Sequence, residues 1–235
     1  MTDRLGEALL ELDAVTRRLR RDCPWDREQD ERSIVPHTVE EAYELADAAH
    51  SADDDKLRDE LGDVLFQVYF LSLLLEERGA GDLEAVARGT IEKLVRRHPH
   101  IFSDDPGRLS SLPTEARTAS EVRENWDAIK RGEAGGSDPF ATVPENLPSL
   151  LYAAKLQRRA GGSASAREAL LEITGAVDEA GQNATAPEPD REQLYGRIGD
   201  LLFACVELAR AVGVDPEIAL RRAADGFRAR PGSAV

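Results

Sequence analysis

No apolar run in this sequence is long enough to cross a bilayer. The longest, Val64 to Leu75, is interrupted by Gln67 and Ser72, whereas a spanning helix needs about 20 apolar residues. The opening MTDRLGEALLELD also lacks the apolar stretch of a secretory leader, so the expected compartment is the cytoplasm and a membrane is not an expected partner. Cysteine is scarce: Cys23 and Cys205 are the only two. They lack metal-ligand or redox spacing, which implies no disulfide framework and leaves them as buried or incidental thiols. No serine occupies a nucleophile-elbow motif and neither cysteine has a base in sequence reach, so covalent catalysis is not indicated. Positive charge is short as well. Thirty Lys and Arg against 45 Asp and Glu give a formal charge of −15, and such a surface repels the phosphate backbone of nucleic acid. An anionic ligand would need metal ions or clustered Lys and Arg.

Alternating β-branched runs are absent too, and apolar residues recur at helical spacing nearly everywhere. The fold is therefore expected to be all-α, and 235 residues with 41% apolar content suffice for a core. The pattern predicts helices near 3–21, 37–50, 54–78, 82–97, 116–132, 147–160, 165–181, 190–213 and 215–229, with Pro24, Pro36, Pro99, Pro106, Pro113, Pro139, Pro144 and Pro148 between them. RGEAGGSDPFATVPENLP has the Gly, Pro and Ser content of a linker. The expected organisation is a helical domain over 1–135, a linker over 136–148 and a second helical domain over 149–235.

An internal repeat relates the two halves. LGDVLFQV at 61–68 returns as IGDLLFAC at 198–205, and both are followed by an Asp-x-Glu helix start, at Asp82 and at Asp215. With Glu41 aligned to Glu172, Glu40 becomes Leu171 and Glu44 becomes Gly175, while Glu60 becomes Arg197 and Lys93 becomes Gly226. The second half reads as a degenerate copy, in which Asp200 is expected to pair with Arg197 or another cation.

The first half keeps its acids. On a helix, Glu40, Glu41, Glu44 and Asp47 fall within an arc of about 120°, and Lys56, Glu60, Asp63 and Gln67 within about 60°, beside the apolar strip Leu61, Val64, Leu65, Val68, Leu71 and Leu75. The connection at 51–53 is short, so the two helices should pack antiparallel and bring Glu41 and Glu44 opposite Glu60 and Asp63. Such a cluster is costly without cations, and an all-oxygen ligand set suits Mg²⁺, or Mn²⁺, rather than zinc. Because Mg²⁺ completes its shell with substrate phosphates, a polyphosphate is the expected ligand. The same spacing also fits an ordinary solvated helix face with Glu–Lys pairs.

CPWDREQ at 23–29, the EExxE of Glu40, Glu41 and Glu44, the ExxD of Glu60 and Asp63, and KLVRRHPHIF at 93–102, taken in this order, resemble MazG, the all-α nucleoside triphosphate pyrophosphohydrolases. The resemblance covers residues 5 to 160 plus the weaker second repeat. It implies a MazG-like helical bundle and Mg²⁺-dependent hydrolysis of NTPs or dNTPs to monophosphate and pyrophosphate, in the manner of nucleotide-pool housecleaning. It also implies Glu41, Glu44, Glu60 and Asp63 as metal ligands, Glu40 and Glu41 as the groups that handle the attacking water, Lys56, Lys93 and Arg97 on the triphosphate, Trp126 and Lys130 lining the nucleotide site, and a homodimer. His37 stands where that family often carries Tyr, and it is expected to be a helix-start packing residue rather than a base. Trp25 is expected to be a structural plug beside the site, and His98 and His100 to cap a helix end and a turn. The rival expectation is a non-catalytic helical module that senses nucleotides or binds a protein.

Overall fold

The computed structural model describes residues 2–102, 118, 121, 122, 125, 126, 129, 132, 138–141, 143–161, 164–186 and 188–230. All regular structure among them is helical, as the composition predicts. The chain divides into two compact units, Met1–Ala116 and Arg117–Val235.

In the first unit, α1 (Thr2–Asp22), the short α2 (Pro24–Glu28), α3 (Glu31–Ser51), α4 (Asp54–Glu77), α5 (Leu83–Arg97) and the single turn α6 (Pro99–Phe102) follow one another. α3 begins six residues earlier than the pattern predicts, so Pro36 lies inside it rather than before it. The reason is its cap. The Asp30 side chain accepts from the backbone N–H groups of Arg32 and Ser33, and the Ser33 hydroxyl oxygen in turn accepts from the Asp30 N–H. This reciprocal cap starts the helix ahead of the proline, which then forgoes one intrahelical hydrogen bond. The other end of α3 stops at Ala52, whose left-handed φ of 55° turns the chain directly into the next cap. There the Asp53 carboxylate accepts from Asp55 N and Lys56 N and opens α4.

That two-residue connection makes α3 and α4 an antiparallel hairpin. Its register is legible in pairs whose numbers rise on one helix as they fall on the other: Ile34 clusters with Phe70 and Leu74, and the Thr38 hydroxyl lies 3.3 Å from Gln67 Oε1. The core of the unit is Ile34, Phe70 and Leu74, with Phe66 and Leu71 packed against it. α1 crosses α4, held by Arg17 on Glu76 and Arg20 on Glu77, and Tyr69 donates its hydroxyl to the Leu9 carbonyl. α5 packs on α4 and ends at His98, whose Nδ1 is 2.6 Å from the Leu94 carbonyl.

One expected face of α4 is different in the structure. The buried positions are Glu60, Gln67, Tyr69, Phe70, Ser72, Leu73 and Leu74. Leu61, Leu65 and Val68, expected to face the core, are 51%, 38% and 40% exposed. Period alone cannot choose between two adjacent stripes of one helix. Here the stripe carrying Phe70 fills the space against α1 and α3 and leaves the other open.

The described positions 121, 122, 125, 126, 129 and 132 are helical and belong to the second unit. They are followed by α7 (Ser149–Ala160), α8 (Ala166–Ala184), α9 (Arg191–Ala211) and α10 (Pro216–Arg228). α8 pairs lengthwise with α9, and α7 lies against α9 and α10. Gln157 on α7 donates to the Phe203 carbonyl. No helix among the described residues is long and apolar enough to cross a membrane.

Candidate metal centre

The α3–α4 register brings three carboxylates together. Glu41 on α3 and Glu60 and Asp63 on α4 each offer an oxygen, all within 4.8 Å of one another. Glu60 is almost enclosed, at 9% exposure, and Glu41 is half-buried. Glu44 stands outside that mutual set, yet it is close enough for its charge to hinder ionisation of both Glu41 and Glu60. None of the four makes an ion pair or a side-chain hydrogen bond among the described residues.

Electrostatics record the same crowding. Loss of solvent pushes the Glu41 carboxyl above the ordinary carboxylate range, and the charges of Asp63, Glu44, Glu60 and Glu40 push it further. Glu60 is raised for the same leading reason, with Glu44 and Asp63 adding to the shift and Lys56 opposing it. A site whose negative groups face one another without an ion pair to any cation among the described residues is chemically matched to a hard divalent cation, which would replace that repulsion with attraction. The donors are all carboxylate oxygens, the set that Mg²⁺ or Mn²⁺ prefers.

The remaining site residues fall into three groups. Glu40 is exposed on α3, with an oxygen 3.8 Å from His37 Nδ1, and its charge reaches Glu41. Lys56, in the first turn of α4, acts electrostatically on Glu60, and Lys93 and Arg97 lie four apart on α5, one turn from each other on the same face. Trp126 is half-buried and helical in the second unit, while Lys130 lies outside the described residues.

Two expectations beside the site need correction. Trp25, expected to be a structural plug beside the site, is 51% exposed on the five-residue helix α2. His37, expected to pack at a helix start, sits in the second turn of α3, since the helix starts early, and it packs edge-on against Trp25 with ring centroids 5.8 Å apart. In the second unit Arg197, at the repeat position of Glu60, pairs with Glu179 rather than with Asp200. Asp200 makes no ion pair among the described residues.

An all-α hairpin that presents unpaired carboxylates from both of its helices has the donor set of a divalent-cation site. Residues 29–102, which contain the whole hairpin, match the MazG nucleotide pyrophosphohydrolase domain. The chain is 38% identical over 215 residues to the nucleoside triphosphate pyrophosphohydrolase of Escherichia coli K12, covering 88% of this chain and 78% of the relative. It is 36% identical over 207 residues to the nucleoside triphosphate pyrophosphohydrolase/pyrophosphatase MazG of Thermotoga maritima, covering 87% and 76%. The chain belongs to the MazG family of nucleotide pyrophosphohydrolases.

Proposed function

We propose that this protein hydrolyses nucleoside and deoxynucleoside triphosphates to the monophosphate and pyrophosphate, with Mg²⁺ or Mn²⁺ held by Glu41, Glu44, Glu60 and Asp63. The observation that carries the reading is the mutual approach, within 4.8 Å, of the Glu41, Glu60 and Asp63 oxygens. The names of the Escherichia coli and Thermotoga maritima relatives give the same activity.

Bound there, the cation supplies charge neutralisation at the phosphates and a more acidic water. The protein's own groups do the rest. Glu41 accepts the proton of the attacking water, and Glu40 orients that water toward the α-phosphorus. Lys56, Lys93 and Arg97 draw in the triphosphate and neutralise the departing pyrophosphate. Trp126 and Lys130 line the nucleotide end. Residues 1–135 form the catalytic part and 149–235 a degenerate repeat. The open strip of Leu61, Leu65 and Val68 supports a homodimer in which a second copy covers it.

The test is product analysis in ¹⁸O-water with and without EDTA. Label in the monophosphate, intact pyrophosphate, abolition by EDTA and recovery with Mg²⁺ are expected. Orthophosphate and a diphosphate as first products, or full activity in excess EDTA, would sink the assignment.

A further inference from the structure

We propose that the second unit carries a binding site for an alkyl diamine or polyamine, in the open cleft bounded by α7, α8 and α9. The cleft has a volume of about 1240 Å³, and Tyr152 and Gln157 of α7, Glu172 and Gly175 of α8, and Asp200 and Phe203 of α9 stand on its walls.

Gln157 sets the chemistry of that wall. It is only 8% exposed, and its Nε2 donates to the Phe203 carbonyl at 2.8 Å. This bond fixes which way round the amide sits, because a carbonyl can only accept. The other end, Oε1, is then buried with no hydrogen-bond partner among the described residues. Folded proteins rarely leave a buried amide oxygen without a donor, and an N–H group of a ligand in the cleft supplies one. Space for it is open: a Cβ at Gly175 would meet no atom within 4 Å.

The charges on the walls decide what carries that N–H. The repeat keeps Glu172 at the place of Glu41 and Asp200 at that of Asp63, but it puts Gly175 and Arg197 where the first half has Glu44 and Glu60. The crowding that matches the first unit to a divalent cation is therefore gone, and the three acids that converge within 4.8 Å belong to the first unit. Two negative charges remain: neither Glu172 nor Asp200 makes an ion pair or a side-chain hydrogen bond among the described residues. The arginines beside them are engaged, Arg210 by Glu207 at 2.5 Å and Arg197 by Glu179, so a phosphate-bearing ligand would meet bare carboxylates and is repelled. Ammonium groups are attracted instead. The rings of Tyr152 and of Phe203, itself 47% exposed, offer an apolar surface to the methylenes between two such groups and an aromatic face to the charge. An alkyl polyamine combines the N–H donor, the positive charges and the apolar stem that these walls require.

The experiment is a calorimetric titration of the full-length protein with spermidine, at physiological salt and with saturating Mg²⁺ to occupy the first-unit acids. One saturable site is expected. Glu172→Gln/Asp200→Asn should weaken it at least ~10-fold, the scale of a charge-assisted hydrogen bond. Gly175→Leu, which fills the open space without touching the Gln157 amide, should do the same, and it tests the cleft even if variants of Gln157 melt early. Hexamethonium carries two positive charges on an alkyl chain but has no N–H, so Gln157→Met should weaken spermidine about 10-fold and leave hexamethonium unchanged. Binding that never saturates and fades with salt would be general attraction to the acidic surface and would overturn the proposal. So would parent affinity in Gly175→Leu, or a loss confined to Glu41→Gln/Glu60→Gln. Nucleoside triphosphate binding that disappears in Glu172→Gln/Asp200→Asn would make the cleft a nucleotide site instead and overturn it as well.

Discussion

The Thr38 hydroxyl on α3 lies 3.3 Å from Gln67 Oε1 on α4, and this latch sits directly beneath the carboxylates. Thr38 is three residues before Glu41 and Gln67 four after Asp63, so each latch residue is a turn from a site acid on its own helix. Gln67 is 6% exposed, and the single hydroxyl proton is shared between its oxygen and the Ile34 carbonyl at 3.4 Å.

Removing that proton should loosen the hairpin where the site needs it fixed. Thr38→Val keeps the shape but leaves the buried Gln67 oxygen without its donor, at a cost of about 1 kcal/mol. Denaturant melts should show this loss, and the Mg²⁺ concentration for half-maximal hydrolysis should rise. An unchanged melt and an unchanged Mg²⁺ dependence would show that the latch does not hold the register.

The crowded acids give stability an inverted pH dependence. Glu41 and Glu60 both have carboxyls raised by desolvation and by neighbouring carboxylates, so in the window above the ordinary carboxylate range the folded chain holds protons that the unfolded chain has released. Metal-free stability from these two groups is therefore present at low pH and is lost as pH rises through the raised values. Glu76 and Glu77 act oppositely: Arg17 and Arg20 hold their carboxyls low, and their contribution is lost as pH falls. Comparing the parent with Glu41→Gln/Glu60→Gln isolates the first effect. The double variant should melt higher than the parent without metal, by a margin that grows with pH, and should lose the Mg²⁺-induced rise in Tm. That rise corresponds to about 2.7 kcal/mol in the parent at a hundredfold excess over Kd. A parent whose melting ignores Mg²⁺ at every pH would contradict the site.

The two repeat-related aspartates should behave differently. Asp63→Ala removes one of three converging carboxylates, so turnover should drop by at least ~100-fold, the scale on which metal-site disruption is felt. Asp200 makes no ion pair among the described residues, Arg197 being engaged by Glu179. Asp200→Ala should thus keep both turnover and stability within about 0.5 kcal/mol. Steady-state hydrolysis against Mg²⁺, with melts to confirm folding, reads both variants. An inactive, folded Asp200→Ala beside a working Asp63→Ala would place catalysis in the other half.

The sequence by itself determined the helical class, the hairpin and the meeting of Glu41 with Glu60 and Asp63. These depend on local rules: the 3.6-residue period fixes which acids share a face, and a connection too short for anything but reversal fixes which faces meet. Tertiary structure decided what local rules leave degenerate. A reciprocal Asp30–Ser33 cap carried α3 past the start that Pro36 suggested, and this moved His37 from a helix start to a helical face. On α4, packing against α1 and α3 chose the stripe of Phe70 over that of Leu61, Leu65 and Val68, because adjacent apolar stripes of one helix differ only in the shape of the space they fill. The contact of Trp25 with His37, twelve residues apart in sequence, exists only because Arg20 draws the α2 turn against α1 and α4, a long-range set of hydrogen bonds that no periodicity encodes.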